Sequence, residues 1–167
     1  MVALDLNILT KDIALEIAPA ALKKHIDLGF EPSLVGAFIL GNADRLNDLL
    51  NNLMDNAIRY TQTGGKVTVA LDVSEKQVNL SVEDNGPGVP DAEKDKIFDR
   101  FHRVIDNNYG ANAQIGSGLG LAIVKEIASL HGANITVADG AIENETTVTN
   151  PTRRGLKVML SFKRLSI

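Results

Sequence analysis

Asn42–Gly65 reads NADRLNDLLNNLMDNAIRYTQTGG, and its periodicity constrains the rest of the chain. Leu46, Leu49, Leu50, Leu53, Met54, Ala57 and Ile58 recur at helical spacing and predict one broad apolar stripe. At about 100° per residue, Asn52, Asn56, Arg59 and Tyr60 form a second stripe about a quarter-turn away. Asn47 and Asn51 fall on the opposite flank, and Asp48 and Asp55 face solvent. Asn42 can cap the start of the helix, and Gly64 and Gly65 can end it. The helix thus offers one face to a core and, beside it, two amides, a guanidinium and an aromatic ring. A solvated, Asn-rich flank would show the same letters; the glycine segments further along separate the two readings.

Upstream, Asp5–Ile26 reads as a helix with Ile8, Leu9, Ile13, Ile17 and Leu22 on its inner side. Pro19 either kinks it or opens a second short helix. Asp27–Phe30 and Ala37–Leu40 are short strand candidates around a turn containing Pro32. Downstream, Val67, Val69, Leu71 and Val73 alternate with polar or small residues, as do Val78, Leu80 and Val82. Joined by Ser74–Lys76, they predict a hairpin with one buried face. Asp84–Pro90, DNGPGVP, is a glycine- and proline-rich loop leading into a short acidic helix, Asp91–Arg100. Phe101–Ile115 lacks periodicity and is expected to be a mobile loop. GSGLG, Gly116–Gly120, opens a helix with Leu119, Ile123, Ile127 and Leu130 inward, closed by Gly132. Ile135 and Val137 suggest one further strand, and Leu156, Val158, Leu160 and Phe162 a last one, with Asp139–Arg154 a long hairpin excursion between them.

Alternating strands and one-sided helices imply an α+β fold: a two-layer α/β sandwich, its sheet mixed but mostly antiparallel, with helices on one face. The 167 residues are expected to form a single domain spanning 1–167. With no cysteine, disulfides and thiolate metal sites are excluded. Hydrophobic residues at 44% and charged residues at 23% are ordinary for a soluble fold. A net charge of −4 argues against a general nucleic-acid binder. No apolar run approaches the roughly 20 residues of a membrane span, and the N-terminus lacks a signal-peptide pattern. No contact with nucleic acid or membrane is therefore expected.

Four stretches can carry chemistry. Asp84 follows a strand with apolar inner residues, so its carboxylate reaches the core edge, where burial is costly unless a donor meets it. An adenine amine is one such donor, and Gly86 and Gly88 leave room for a flat base; a plain Asn-Gly and Pro-Gly turn would use the same residues. GSGLG ahead of a helix offers backbone N–H groups to phosphate. It lacks the preceding strand of a dinucleotide fingerprint and the lysine of a P-loop. Between them lies IFDRFHRV, Ile97–Val104. Its Phe98 and Phe101 are spaced to anchor a loop base, and its Arg100 and Arg103 suit phosphates or ordinary surface ion pairs. His102 reads as solvent-facing, and His25 and His131 as structural residues at helix ends.

In combination, NLMDNAIRYT, DNGPGVP, IFDRFHRV and GSGLGLAIVKEIASLHG resemble the ATP-binding catalytic domain of bacterial sensor histidine kinases. That domain's superfamily includes gyrase, heat-shock chaperone and mismatch-repair ATPases. The resemblance runs from about Leu4 to Phe162. It implies Asn56 as the residue holding Mg²⁺ against the ATP phosphates, with Asn52 assisting. It implies Arg59 as a phosphate contact, Tyr60 as a ring beside adenine, and Asp84 as the reader of the adenine amine, with Gly86 and Gly88 lining the pocket. Arg103 is implied to meet the γ-phosphate, and Gly116, Ser117, Gly118, Leu119 and Gly120 to cradle phosphates, with Val104–Ile115 as a lid. Asn56 and Arg103 are the residues expected to serve catalysis.

The resemblance also implies the reaction. Hydrolytic members carry a glutamate one turn before the metal-binding asparagine; Asn52 stands there and cannot act as a base. The γ-phosphoryl should then pass to a histidine on a separate dimerisation and phosphoacceptor domain, with a response regulator downstream. No His-acid-x-x-x-Pro pattern occurs in the chain, so it is expected to be an excised catalytic domain. It should lie in the cytoplasm, its parent anchored in the bacterial inner membrane. An anti-sigma-type serine kinase and a nucleotide sensor without transfer are the competing readings. Two departures are expected to be local: the length of Asp139–Arg154, and Leu156 after Gly155 where the family often has Thr or Ser.

Overall fold

Each element sits where its apolar side can be covered. The computed structural model describes residues 1–101, 119–141 and 154–167. Its order is β1 (Val2–Asp5), α1 (Leu6–Lys23), β2 (Asp27–Glu31), β3 (Phe38–Gly41), α2 (Ala43–Tyr60), β4 (Lys66–Val73), β5 (Gln77–Asp84), α3 (Asp91–Lys94), α4 (Gly120–Leu130), β6 (Asn134–Ala138) and β7 (Leu156–Lys163). Five strands form one sheet in the order β2-β4-β5-β7-β6. β2 runs parallel to β4, and every other pairing is antiparallel. The α+β two-layer sandwich read from the sequence is the fold, with the helices packed on one face of this sheet.

Period-2 alternation fixes the register. Val67, Val69, Leu71, Val78, Leu80, Val82, Val158, Leu160 and Phe162 all point into the core. Against them lies α2, whose buried side is Leu46, Leu49, Leu50, Leu53, Met54, Ala57 and Ile58, the stripe the spacing predicts. Asn42 caps it, its Oδ1 accepting from the Arg45 N–H at 3.0 Å. The C-terminus differs from expectation. Gly64 and Gly65 do not end the helix; Thr61 does, turning extended while its hydroxyl donates to the Ala57 carbonyl at 2.7 Å. Lys24 completes that end, its ammonium donating to the Ile58 and Arg59 carbonyls at 2.9 and 2.8 Å.

Five further expectations need correction. β1 was not anticipated; it pairs antiparallel with β3, and Asp5 at its end caps α1 by accepting from the Asn7 N–H at 2.9 Å. In α1, Ile8 and Leu22 are exposed, because the helix has two opposed apolar stripes. The inward one is Leu6, Thr10, Ile13, Ala14, Ile17 and Ala21, whose small members allow close approach, and Pro19 lies within a continuous helix. In α4, Val124, Ile127 and Ala128 are buried while Ile123 and Leu130 face outward. The acidic helix ends at Lys94, well short of Arg100. Phe98 is buried as expected, but Phe101 is 72% exposed with a left-handed backbone (φ 63°), so it anchors nothing in the core.

One buried group works against stability. The Thr10 hydroxyl, fully buried in α1, has no hydrogen-bond partner among the described residues. Thr10→Val keeps the shape and removes the unsatisfied oxygen, so it is expected to stabilise the fold by about 1 kcal/mol. Thermal unfolding should show a rise of about 2–4 °C in Tm; an unchanged or lower Tm would mean the hydroxyl is satisfied in solution.

Candidate functional site

The site begins where the sheet ends. Asp84 is the last residue of the central strand β5, flanked by Val67 of β4 and Leu156 of β7. That placement leaves its side chain 6% exposed. Its Oδ1 accepts from the Gly86 N–H at 2.9 Å, and the Leu156 N–H also donates to the carboxylate. Burial outweighs these two donors and pushes the carboxyl up from 3.8 to about 6, with the neighbouring Glu83 charge adding to the rise. A buried acceptor of this kind is poised for a donor brought by a ligand.

The loop after Asp84 is built to stay put. Asn85 is buried, its Oδ1 accepting from the Lys66 N–H at 2.7 Å, and its own N–H donates to the Lys66 carbonyl at 3.1 Å. Gln62 Nε2 donates to the Asn85 carbonyl at 3.2 Å, tying the loop to the end of α2. Gly86 fits a space without a side chain: a Cβ there would lie 3.0 Å from the Tyr60 carbonyl and 3.0 Å from the Asp84 Oδ1. Behind Asp84 the backbones of Gly88, Gly140 and Gly155 close in. A Cβ on Gly155 would sit 2.0 Å from the Asp84 carbonyl oxygen.

α2 links this carboxylate to the other end of the site. Its C-terminal Tyr60 abuts Gly86, and Asn56 and Asn52 follow on successive turns back along the same side. Each turn is about 5.4 Å, so the three polar side chains are spread over roughly 12 Å. Asn52 donates through Nδ2 to the Asp48 carbonyl at 2.8 Å, which turns its Oδ1 towards α4. A Cβ on Gly120 would lie 3.2 Å from that oxygen. Asn56 is half-buried and makes no hydrogen bond among the described residues. The amides predicted to act together, and the start of the glycine-led helix, are thus adjacent.

Arg59 is engaged elsewhere. Its Nε meets Asp55 Oδ2 at 2.9 Å on the exposed side of α2, with both side chains about half exposed. It would have to leave this pair, which is worth little at the surface, to reach a phosphate. Arg100 lies 3.8 Å from Glu126 of α4. Leu119 and Gly120 stand at the start of α4, whereas His102, Arg103, Gly116, Ser117, Gly118 and the segment 104–115 fall outside the described residues. An open cleft of about 360 Å³ between α1 and α2 is lined by Glu16, Ile17, Asn51, Asn52 and Asp55. Its two carboxylates make it unsuited to phosphate.

Three contributors were not singled out from the sequence. Asn85 sits inside the quoted DNGPG motif, yet nothing in its spacing announces the bonds to Lys66 and Gln62. Gly140 and Gly155 lie far along the chain, and only the β5–β7 pairing brings them to Asp84. The available signal was Gly155 itself directly before an alternating strand segment, since glycine accommodates the left-handed turn found there (φ 63°).

Comparison with known proteins shows the family and the fold. The model of the histidine kinase-, DNA gyrase B- and HSP90-like ATPases matches residues 41–165. A sensor histidine kinase of Synechocystis, RppB, is 37% identical over 132 residues, covering 79% of this chain and 29% of that protein. The sensor protein kinase PmrB of Pseudomonas aeruginosa is 38% identical, covering 81% of this chain and 27% of that protein. The chain thus spans less than a third of these curated relatives. Among solved structures, a mycobacterial sensor histidine kinase, MprB, superposes with a TM-score of 0.78 at 26% identity, covering 99% of both chains. A nucleotide-free catalytic domain of the histidine kinase ThkA gives 0.76 at 26% identity, covering 97% of this chain and 96% of that one. With the family match spanning most of its length, this chain belongs to the histidine kinase-, DNA gyrase B- and HSP90-like ATPases.

Proposed function

We propose that this domain binds Mg²⁺-ATP along α2 and donates the γ-phosphoryl group to a histidine on a separate dimerisation and phosphoacceptor domain. The observation that carries this reading is the single polar edge of α2. It leads from the buried Asp84 carboxylate at the Tyr60 end to Asn52 against Gly120 at the other. Adenine lies at the first end, its amine donating to Asp84. The phosphates lie at the second, where the N-terminus of α4 offers backbone N–H groups to negative charge.

The residues present fit a magnesium ion. Mg²⁺ takes oxygen ligands and keeps several waters, and neutral amide oxygens add no negative charge beside a polyanion. The half-buried Asn56 has its amide uncommitted among the described residues, and Asn52 directs its Oδ1 inward. When bound, Mg²⁺ neutralises the charge that gathers on the phosphate oxygens. The protein's own share is positioning. Asp84, Gly86, Gly88 and Tyr60 hold the base. Arg59, Arg103 and the turn Gly116, Ser117, Gly118, Leu119 and Gly120 meet the phosphates. Asn52 cannot deprotonate water, so transfer to an acceptor is favoured over hydrolysis.

Asn56→Asp should weaken the Mg²⁺-dependent part of ATP affinity about tenfold or more, because it sets a charge beside the phosphates. Calorimetric titration with and without Mg²⁺ checks this; unchanged Mg²⁺ dependence would remove Asn56 from the metal site. For the reaction, the domain would be incubated with labelled ATP and a separately supplied dimerisation domain. Acid-labile phosphate on that domain is the expected outcome. Acid-stable label would indicate a serine kinase, and no label a nucleotide sensor.

A response regulator would receive the phosphoryl group from the acceptor histidine. Among the described residues, no helix is long and apolar enough to cross a membrane. We place this domain on the cytoplasmic side of a parent protein anchored in the bacterial inner membrane.

A further inference from the structure

We propose that His131 is a positioning residue for the nucleotide, a neutral imidazole that locks the far ends of α2 and α4 together. The proposal rests on the Mg²⁺-ATP reading above and adds a residue outside the pocket to it.

The ring is engaged at both nitrogens. Its Nδ1 lies 2.8 Å from the Ile127 carbonyl oxygen, one turn back in α4. Its Nε2 lies 3.1 Å from the backbone nitrogen of Asn42, the residue that caps α2. A carbonyl only accepts and a backbone N–H only donates, so Nδ1 carries the proton and Nε2 the lone pair. The bonds themselves therefore select the tautomer. The ring also packs edge-on against Phe162 of β7, with centroids 6.5 Å apart, and its Cδ2 would lie 3.3 Å from a Cβ on Gly41. It is thus wedged between α4, the sheet and the start of α2.

The position of this bond gives it leverage. α2 and α4 pack against each other along an apolar seam, and a further contact lies towards each end of it: His131 with Asn42 at one end, and Gly120 beside Asn52 at the other. Ten residues separate the contacts along α2 and eleven along α4, and at about 1.5 Å per residue these spans match at roughly 15–17 Å. The apolar seam holds the helices together but is non-directional and tolerates small slides and pivots; the two matched end contacts fix offset and angle. Releasing the His131 end frees α4 to shift at its N-terminus, opposite Asn52 and Asn56. The adenine end lies at the end of β5, between β4 and β7, and among the described residues shares no hydrogen bond with this latch.

Two variants divide the ring's two bonds. In His131→Asn the shorter amide can replace the bond to Ile127 but does not reach Asn42. In His131→Gln the longer side chain can return an acceptor to the Asn42 N–H. His131→Asn should raise the Kd for Mg²⁺-ATP about tenfold, about 1.4 kcal/mol, with the Kd for adenosine within about twofold of the native value, and His131→Gln should recover most of the loss. Nitrogen NMR of the native protein should show Nδ1 protonated and Nε2 bare.

Native Mg²⁺-ATP affinity in a folded His131→Asn, an equal loss for adenosine, or a protonated Nε2 would each overturn the proposal. Should His131→Asn not fold, the ring tautomer decides it. Failure of the underlying site would look different: the native protein would not bind Mg²⁺-ATP, whatever the tautomer.

Discussion

Asp84→Asn is expected to abolish tight ATP binding while making the empty protein more stable. The carboxylate is the acceptor for the adenine amine, and a hydrogen bond to a charged group contributes about 1.5–3 kcal/mol. Losing it should weaken binding roughly tenfold to more than a hundredfold, because asparagine offers a neutral oxygen and adds a competing amide donor. The stability change has the opposite sign. Burial raises the Asp84 carboxyl from 3.8 to about 6, so the folded state holds its proton more tightly than the unfolded chain does. Its contribution to stability is therefore fully present below pH 3.8 and is lost as pH rises to about 6. At about 1.4 kcal/mol per pH unit, that loss is about 3 kcal/mol at neutral pH.

Asparagine carries no such charge, and its Oδ1 can still accept from the Gly86 N–H. The variant should melt higher than the native protein at pH 7.5, by as much as about 6–12 °C without ligand. The difference should vanish near pH 4. In the native protein, ATP affinity should rise with pH through about 6 as the carboxylate forms. Calorimetric titration and melting curves over pH 4–8 give both readouts. Native ATP affinity in the variant would remove Asp84 from the base pocket, and a stability gain that persists at pH 4 would show that its charge is not the cause.

Gly155→Ala should be the most damaging single-methyl change in the described structure. Two effects add at this position. The backbone is left-handed (φ 63°), which disfavours any residue with a Cβ by about 1–2 kcal/mol. The new methyl would also sit 2.0 Å from the Asp84 carbonyl oxygen and 3.0 Å from its carbon, both rigid backbone atoms. Relieving that overlap means moving β7 away from β5, and overpacking of this kind costs about 1–3 kcal/mol. A total loss of about 2–5 kcal/mol should lower Tm by roughly 4–20 °C. Because the shift occurs beside the carboxylate, ATP affinity should fall with it. Gly132→Ala is a suitable control, since Gly132 shares the left-handed backbone (φ 62°) but has nothing within 4 Å of its Cβ. If the two variants melt alike, the close approach to Asp84 has no bearing on stability.

The residues that a short window can reveal were legible. The apolar stripe of α2 and its Asn42 cap depend on a repeat of 3.6 residues, and the β4–β5 hairpin on a repeat of two, so both are written locally. The fold class follows, and so does the alignment of Asn52 and Asn56 on one side of one helix. Where two stripes compete within one element, the window fails. α1 places Ile8 and Leu22 opposite Leu6, Ile13 and Ile17, and only the surface it packs against decides which side is buried. Phe101 was misread for a different reason: its aromatic character says nothing about the left-handed turn at its backbone, and the side chain is exposed.

By itself the sequence determined the buried stripe of α2, the alternating faces of β4, β5 and β7, and the alignment of Asn52 and Asn56 on one side of one helix, because these rest on spacing between near neighbours. Tertiary structure alone decided what stands around them. β7 enters the sheet between β5 and β6, which carries Gly155 and the Leu156 N–H to Asp84 across some seventy residues of chain. The antiparallel packing of α2 on α4 brings His131 to Asn42 and Gly120 to Asn52. Such contacts arise from burying the two layers against each other, and no local period encodes which distant backbone that burial will select.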